Sequence, residues 1–134
     1  MGRLRLHFPS LGFTFLAVAL ISCGSSTKKL QSISLTPTTA DAKDFPNGQV
    51  QFTAAGAYSD RTQVKPLTVL WSPGPPWVAP FPIQVDGNGL ASCGTSPAGT
   101  YPVWAGAPIN VSTPVSRMSQ STPMVTATAQ LTCP

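Results

Sequence analysis

Three cysteines, Cys23, Cys93 and Cys133, carry most of the reactive side-chain chemistry in this 134-residue chain. None belongs to a C-x-x-C pair, so their spacing offers neither a redox dithiol nor a zinc ligand set. The rest of the inventory is thin. The chain has no glutamate, and its single histidine, His7, lies near the amino terminus. The four carboxylates, Asp41, Asp44, Asp60 and Asp86, each sit among turn-forming residues. Acid–base or nucleophilic catalysis needs a group that can take up a proton or attack. A Ser-His-Asp arrangement fails for want of a histidine in the body of the chain. The Ser-x-x-Lys spacing occurs only at Ser25–Lys28 and Ser26–Lys29, in a polar stretch that would not desolvate a lysine. The reading is therefore non-enzymatic, with no catalytic residue, no metal ligand and no cofactor. Asp86-Gly87-Asn88-Gly89 starts like a calcium loop but lacks the later oxygen ligands and closing Glu of an EF-hand. Asp-Gly and Asn-Gly are also strong hairpin-turn signals, and the turn is the reading preferred here.

The segment that positions Cys23 is built for export. Arg3 and Arg5 form a positive start, and Leu11 to Ile21 is apolar apart from Gly12 and Thr14. That run has the length of a signal-peptide core, roughly 7–15 residues. It is short of the ~20 apolar residues that a membrane-spanning helix needs. Leu20-Ile21-Ser22-Cys23 resembles the bacterial lipobox. The resemblance implies transfer of diacylglycerol to the Cys23 thiol, cleavage before Cys23, and acylation, by palmitate or a similar chain, of the new amino terminus. One acyl chain binds a membrane marginally, whereas two or more anchor it stably. The competing readings are an ordinary secretory signal that leaves Cys23 as a thiol, or an uncleaved helix. Gly24 stands where some bacteria place an inner-membrane retention aspartate, so the resemblance favours the outer membrane. The expected organisation is a lipoprotein signal peptide over 1–22, a polar tether over 23–29 and one domain over 30–134.

With Cys23 assigned to lipid, Cys93 and Cys133 remain. An exported chain meets oxidising conditions, which favour a disulfide over the alternative of two free buried thiols. Charge adds little. Beyond the signal, six cations face four aspartates, and the excess equals the Lys28-Lys29 pair in the tether. The sequence pI near 9.3 is therefore no sign of a nucleic-acid partner. Lys28 and Lys29 read as solvated linker, with contact to anionic lipid the weaker alternative.

Short strands are the expected elements. Gln31–Pro37, Leu67–Gly74 and Gly99–Gly106 alternate, and Met124–Cys133 sets Val125, Ala127, Ala129 and Leu131 against threonines. Such alternation is the half-buried strand signal. Gly48–Asp60 reads as a strand with an irregularity at Gly56, Val78–Val85 as a proline-broken edge, and Gly89–Cys93 as a short strand. Ala107–Pro123, rich in serine and proline, reads as a long loop. About seven turn-bounded strands and no amphipathic helix predict an all-β, two-sheet antiparallel sandwich.

Particular phrases sharpen this. LQSISLTPTTADAKDFPNGQVQFTAAGAYSD, LTVLWSPGPPWVA, VDGNGLAS and AGTYPVWA resemble the group 2 bacterial immunoglobulin-like domain. The most specific pieces are Gly48-Gln49-Val50-Gln51-Phe52-Thr53-Ala54 and Val69-Leu70-Trp71-Ser72. The resemblance implies an immunoglobulin-like sandwich on a bacterial envelope or surface protein, used as a spacer or adhesion module. This chain departs from the pattern in the Pro- and Trp-rich Pro73–Pro82 segment, the long loop and the cysteine pair.

Aromatic residues are the remaining candidates for binding. Trp71, central in its strand, reads as core. Trp77 and Phe81 lie among five prolines, whose extended backbone can hold rings outward as ligand anchors. The alternative, favoured here, is that they cover the open end of the sandwich. Trp104 is out of phase with Tyr101 and Val103, which predicts a face toward solvent or a partner. The expected function is a non-catalytic interaction, structural or adhesion module held at a membrane through lipid on Cys23. Two alternatives are a carbohydrate-binding protein using Trp77, Phe81 and Trp104, and a small subunit or inhibitor docked on an envelope enzyme. The expected partner is thus an envelope protein or a glycan.

Overall fold

A computed structural model describes residues 27–75 and 79–134. The expected signal peptide, Cys23 and Trp77 lie outside these residues. The described chain is all-β, with antiparallel sheets arranged as a sandwich. Its strands are β1 (Leu30–Thr36), β2 (Thr39–Asp41), β3 (Gln49–Gln51), β4 (Thr53–Tyr58), β5 (Gln63–Val64), β6 (Leu70–Ser72), β7 (Gln84–Val85), β8 (Leu90–Ser92), β9 (Gly99–Pro108) and β10 (Met124–Cys133).

One layer has the order β2-β10-β9-β6, and the other is made of the sheets β1-β4-β5 and β3-β8-β7. The two sheets of that second layer meet because Gln49–Tyr58 is one nearly continuous extended segment that changes partners at Phe52. Residues before Phe52 pair with β8, and residues after it pair with β1 and β5. The Phe52 N–H is satisfied by the Gly89 carbonyl at 2.9 Å. The interruption expected at Gly56 therefore falls four residues earlier. Gly56 itself stays paired with Ile33 and Val64.

About seven strands were expected and ten are present among the described residues. The surplus has three physical sources: the split at Phe52, and the short strands β2 and β5. β2 pairs with β10 in parallel, at Gln130↔Thr39 through Thr132↔Asp41. It follows directly from β1, which packs against β10 from the other layer. The chain turns after Thr36 and lays three residues along the edge of the facing sheet.

Alternation places the core. Val50, Phe52, Val103 and Leu131 are its largest fully buried side chains, joined by Leu35, Ala54, Ala91, Ala105 and Ala129. Each large apolar group removed from water contributes roughly 1.5–3 kcal/mol. Trp71 packs against this cluster as expected, over Gly89. Gly89 has φ +84°, and a Cβ there would stand 2.7 Å from the indole Cε2. The turn needs both the left-handed backbone and the missing side chain.

Cys93 and Cys133 form a disulfide, with Cα atoms 5.7 Å apart. It joins the residue following β8 to the last residue of β10, and so ties the two layers together at one end of the sandwich. Closing a loop across 40 residues of separation stabilises the fold by about 4 kcal/mol in the chain-entropy account.

Candidate functional site

The sandwich has two unlike ends. At one, the described chain begins. Lys28 ion-pairs with Asp60 at 3.2 Å and sits over the Tyr58 ring, 4.4 Å from its centre. Its ammonium also donates to the Thr62 hydroxyl. Lys29 is held on both sides of its backbone. Its N–H donates to Ser59 Oγ at 3.0 Å, and its carbonyl accepts from Ser59 N–H at 2.9 Å. A bridge to Asn110 and the Leu30 N–H bond to the Ile109 carbonyl complete the attachment. Two residues of the expected tether are therefore fastened to the domain, because the β4–β5 turn presents a carboxylate, a hydroxyl and a ring to Lys28.

Asp60 organises that turn. One carboxylate oxygen accepts from the Thr62 hydroxyl at 2.6 Å and the Thr62 N–H at 3.0 Å. These bonds, with Lys28 adding to them, hold its pKa below the ordinary 3.8. Beside the turn runs an apolar groove of about 370 Å³, whose walls include Tyr58, Val64, Leu67, Pro108, Val111 and Val115. Val64 is 39% exposed and Val111 49%, so the rim presents aliphatic groups to solvent.

The opposite end carries the disulfide and a more open pocket of about 430 Å³, bounded by Phe45, Asn47, Gln49, Ser92, Gly94 and Pro134. Phe45 is 38% exposed. It joins two short 3-10 turns, Ala42–Asp44 and Pro46–Gly48, in an extended conformation that leaves its ring outside the core. Asp41 caps the first turn by accepting from the Lys43 N–H at 3.1 Å, and pairs with the Lys43 ammonium at 2.9 Å. The side-chain bond to Lys43 lowers the Asp41 pKa, and the same bond raises that of Lys43. Phe45 was not among the residues singled out from sequence. An aromatic directly before Pro46-Asn47-Gly48 was the available signal.

Of the three aromatics singled out as ligand anchors, Phe81 and Trp104 are among the described residues. Trp77 lies outside them. Phe81 is 38% exposed, with its ring beside Gly74. Trp104 does point away from Val103 and Ala105, as its phase predicts, but it is only 7% exposed rather than open to solvent. Its indole folds along its own strand over Gly106. Little of that ring is open to a ligand.

Asp86 closes the β7–β8 turn. One of its carboxylate oxygens accepts from the N–H groups of Asn88 and Leu90, both at 2.8 Å. Those bonds commit the group to the hairpin. Among the described residues, no three His, Cys, Asp or Glu side chains come together as a metal site. No helix among them is long and apolar enough to cross a membrane. No protein-family model matches this chain, and no curated protein matches it.

Proposed function

We propose that this chain is a non-catalytic, lipid-anchored module of a bacterial cell envelope, with an immunoglobulin-like domain of the group 2 bacterial type. Lipid on Cys23 holds it at a membrane, with the outer membrane favoured. The observation that carries the reading is the polarity of the domain. The chain joins the sandwich at Lys28, five residues after Cys23, while the pocket beside Phe45 opens at the opposite end. An anchor at one end and an open surface at the other is the arrangement that displays a binding face to a partner.

The test is the mass of the membrane-extracted protein combined with protease shaving of intact cells. The expected outcome is an acylated amino-terminal Cys23, with the acyl mass absent from Cys23→Ala. Removal by shaving supports adhesion outside the cell; resistance until the envelope is opened supports a periplasmic partner. An unmodified Cys23 overturns the anchor.

Carbohydrate binding is the second reading, favoured by the exposure of Phe45 and Phe81. Rigid aromatic faces are common anchors of recognition. Pull-down on envelope glycans, with Phe45→Ala, Trp77→Ala and Phe81→Ala as controls, separates the two readings. Retention that survives all three substitutions removes these aromatics as the anchor.

A further inference from the structure

By count, the domain's charge is close to balanced, but its placement is not. Five of the six cations beyond the signal segment gather at the end where the chain joins the sandwich: Lys28, Lys29, Arg61, Lys65 and Arg117. Arg61 lies in the β4–β5 turn. Lys65 stands between the groove residues Val64 and Pro66. Arg117 ends the 3-10 turn whose first residue, Val115, forms part of the groove wall. The carboxylate of the β4–β5 turn, Asp60, is already paired with Lys28. Asp41 and Asp44 lie at the far end, beside Lys43, and Asp86 in the β7–β8 turn. The basic end also carries the exposed Val64 and Val111.

From these positions we infer that the basic end is a membrane-contact surface, which seats the domain on anionic lipid head groups of the bilayer that anchors it. The inference rests on the lipid-anchored reading of Cys23. Chain length forces the approach. Lys28 is fixed to Tyr58 and Asp60, so only the five steps from Cys23 separate the domain from the anchored residue. Five residues span at most roughly 18 Å when fully extended. The screening length is ~10 Å at 0.1 M salt, so Lys28 can stand no farther than about two screening lengths from the lipid surface. The occupant follows from the charge and from this reach: an anionic sheet is already beside this end, and the aliphatic groups of Val64 and Val111 suit the boundary between head groups and acyl chains. Seating this end also turns the Phe45 pocket away from the membrane.

The experiment uses the mature chain with Cys23→Ser, which cannot be acylated. Its core is formed by residues from Leu30 onward, so the domain keeps its fold. Co-sedimentation is measured with vesicles of phosphatidylcholine alone and of equal parts phosphatidylcholine and phosphatidylglycerol. Binding to the anionic vesicles alone is expected, weakening as salt rises. Each of Arg61→Gln, Lys65→Gln and Arg117→Gln should weaken it about fivefold, the effect of one basic residue near an anionic surface. Lys43→Gln removes the same charge from the far end and should leave binding unchanged. Equal binding to both vesicles, or an equal loss with Lys43→Gln, overturns the inference and leaves the basic end to a protein or polysaccharide. The Cys23 mass is a separate readout, so an unacylated Cys23 and an indifferent surface are distinguishable failures.

Discussion

The indole of Trp104 covers Gly106, two residues along the same strand, so closely that a Cβ on Gly106 would stand 2.2 Å from the indole Cη2. Both residues sit on the face of β9 that points away from Val103 and Ala105. The glycine at 106 makes room for the ring. Gly106→Ala should destabilise the fold by about 1–3 kcal/mol, the usual cost of forcing a group into filled space. In a Trp104→Ala background the same substitution should cost far less. A double-mutant cycle by urea denaturation measures the difference. Additive costs would show that the ring and the glycine are not coupled.

The Cys93–Cys133 bond joins the two layers. Replacing both cysteines with serine should lower stability by about 3–4 kcal/mol, the loop-closure contribution for this separation. Denaturant midpoints measured with and without reductant should show the same drop in the parent and no effect of reductant in the variant.

Phe52 marks the point where one extended segment changes sheets, and it is 1% exposed. Phe52→Ala should cost about 3–5 kcal/mol through lost burial and the cavity left behind. Phe45→Ala, removing a ring that is 38% exposed, should shift the unfolding midpoint little. A large effect at Phe45 would mean that its ring packs rather than waits for a partner.

The pH profile follows from Asp60, Asp41 and Lys43. Both aspartates have pKa values lowered from 3.8, Asp60 chiefly by Thr62 and Asp41 by Lys43. The stability they provide is present above 3.8 and is lost as pH falls through their folded values. Lys43 has a pKa raised from 10.5, so its contribution is present below 10.5 and is lost as pH rises through the folded value. A stability plateau between these limits is expected. Carboxyl NMR titration should place both Asp60 and Asp41 below 3.8. Thr62→Val should move Asp60 upward and leave Asp41 unchanged.

The sequence made some elements plain. Met124–Cys133 alternates without a break, and β10 has those same limits. β1 is displaced from its expected bounds by one residue. The strands β2 and β5 have three and two residues, too few to display a period, and exist because a facing strand supplies hydrogen bonds. The change of partner at Phe52 is likewise a tertiary event inside a continuous apolar alternation. Trp104 shows the limit of periodicity at the site: phase tells which face a ring takes, not whether it folds back on its own strand. The basic end was invisible for a different reason. Arg61, Lys65 and Arg117 stand far from Lys28 in sequence and converge only when β1, β4 and β9 align.

The disulfide also changes what a protease could do to this molecule. The Ser- and Pro-rich connection between β9 and β10 lies wholly inside the ring closed by Cys93 and Cys133. A single nick there would release no fragment. Both pieces would stay covalently joined, and the cut would show as two bands only after reduction.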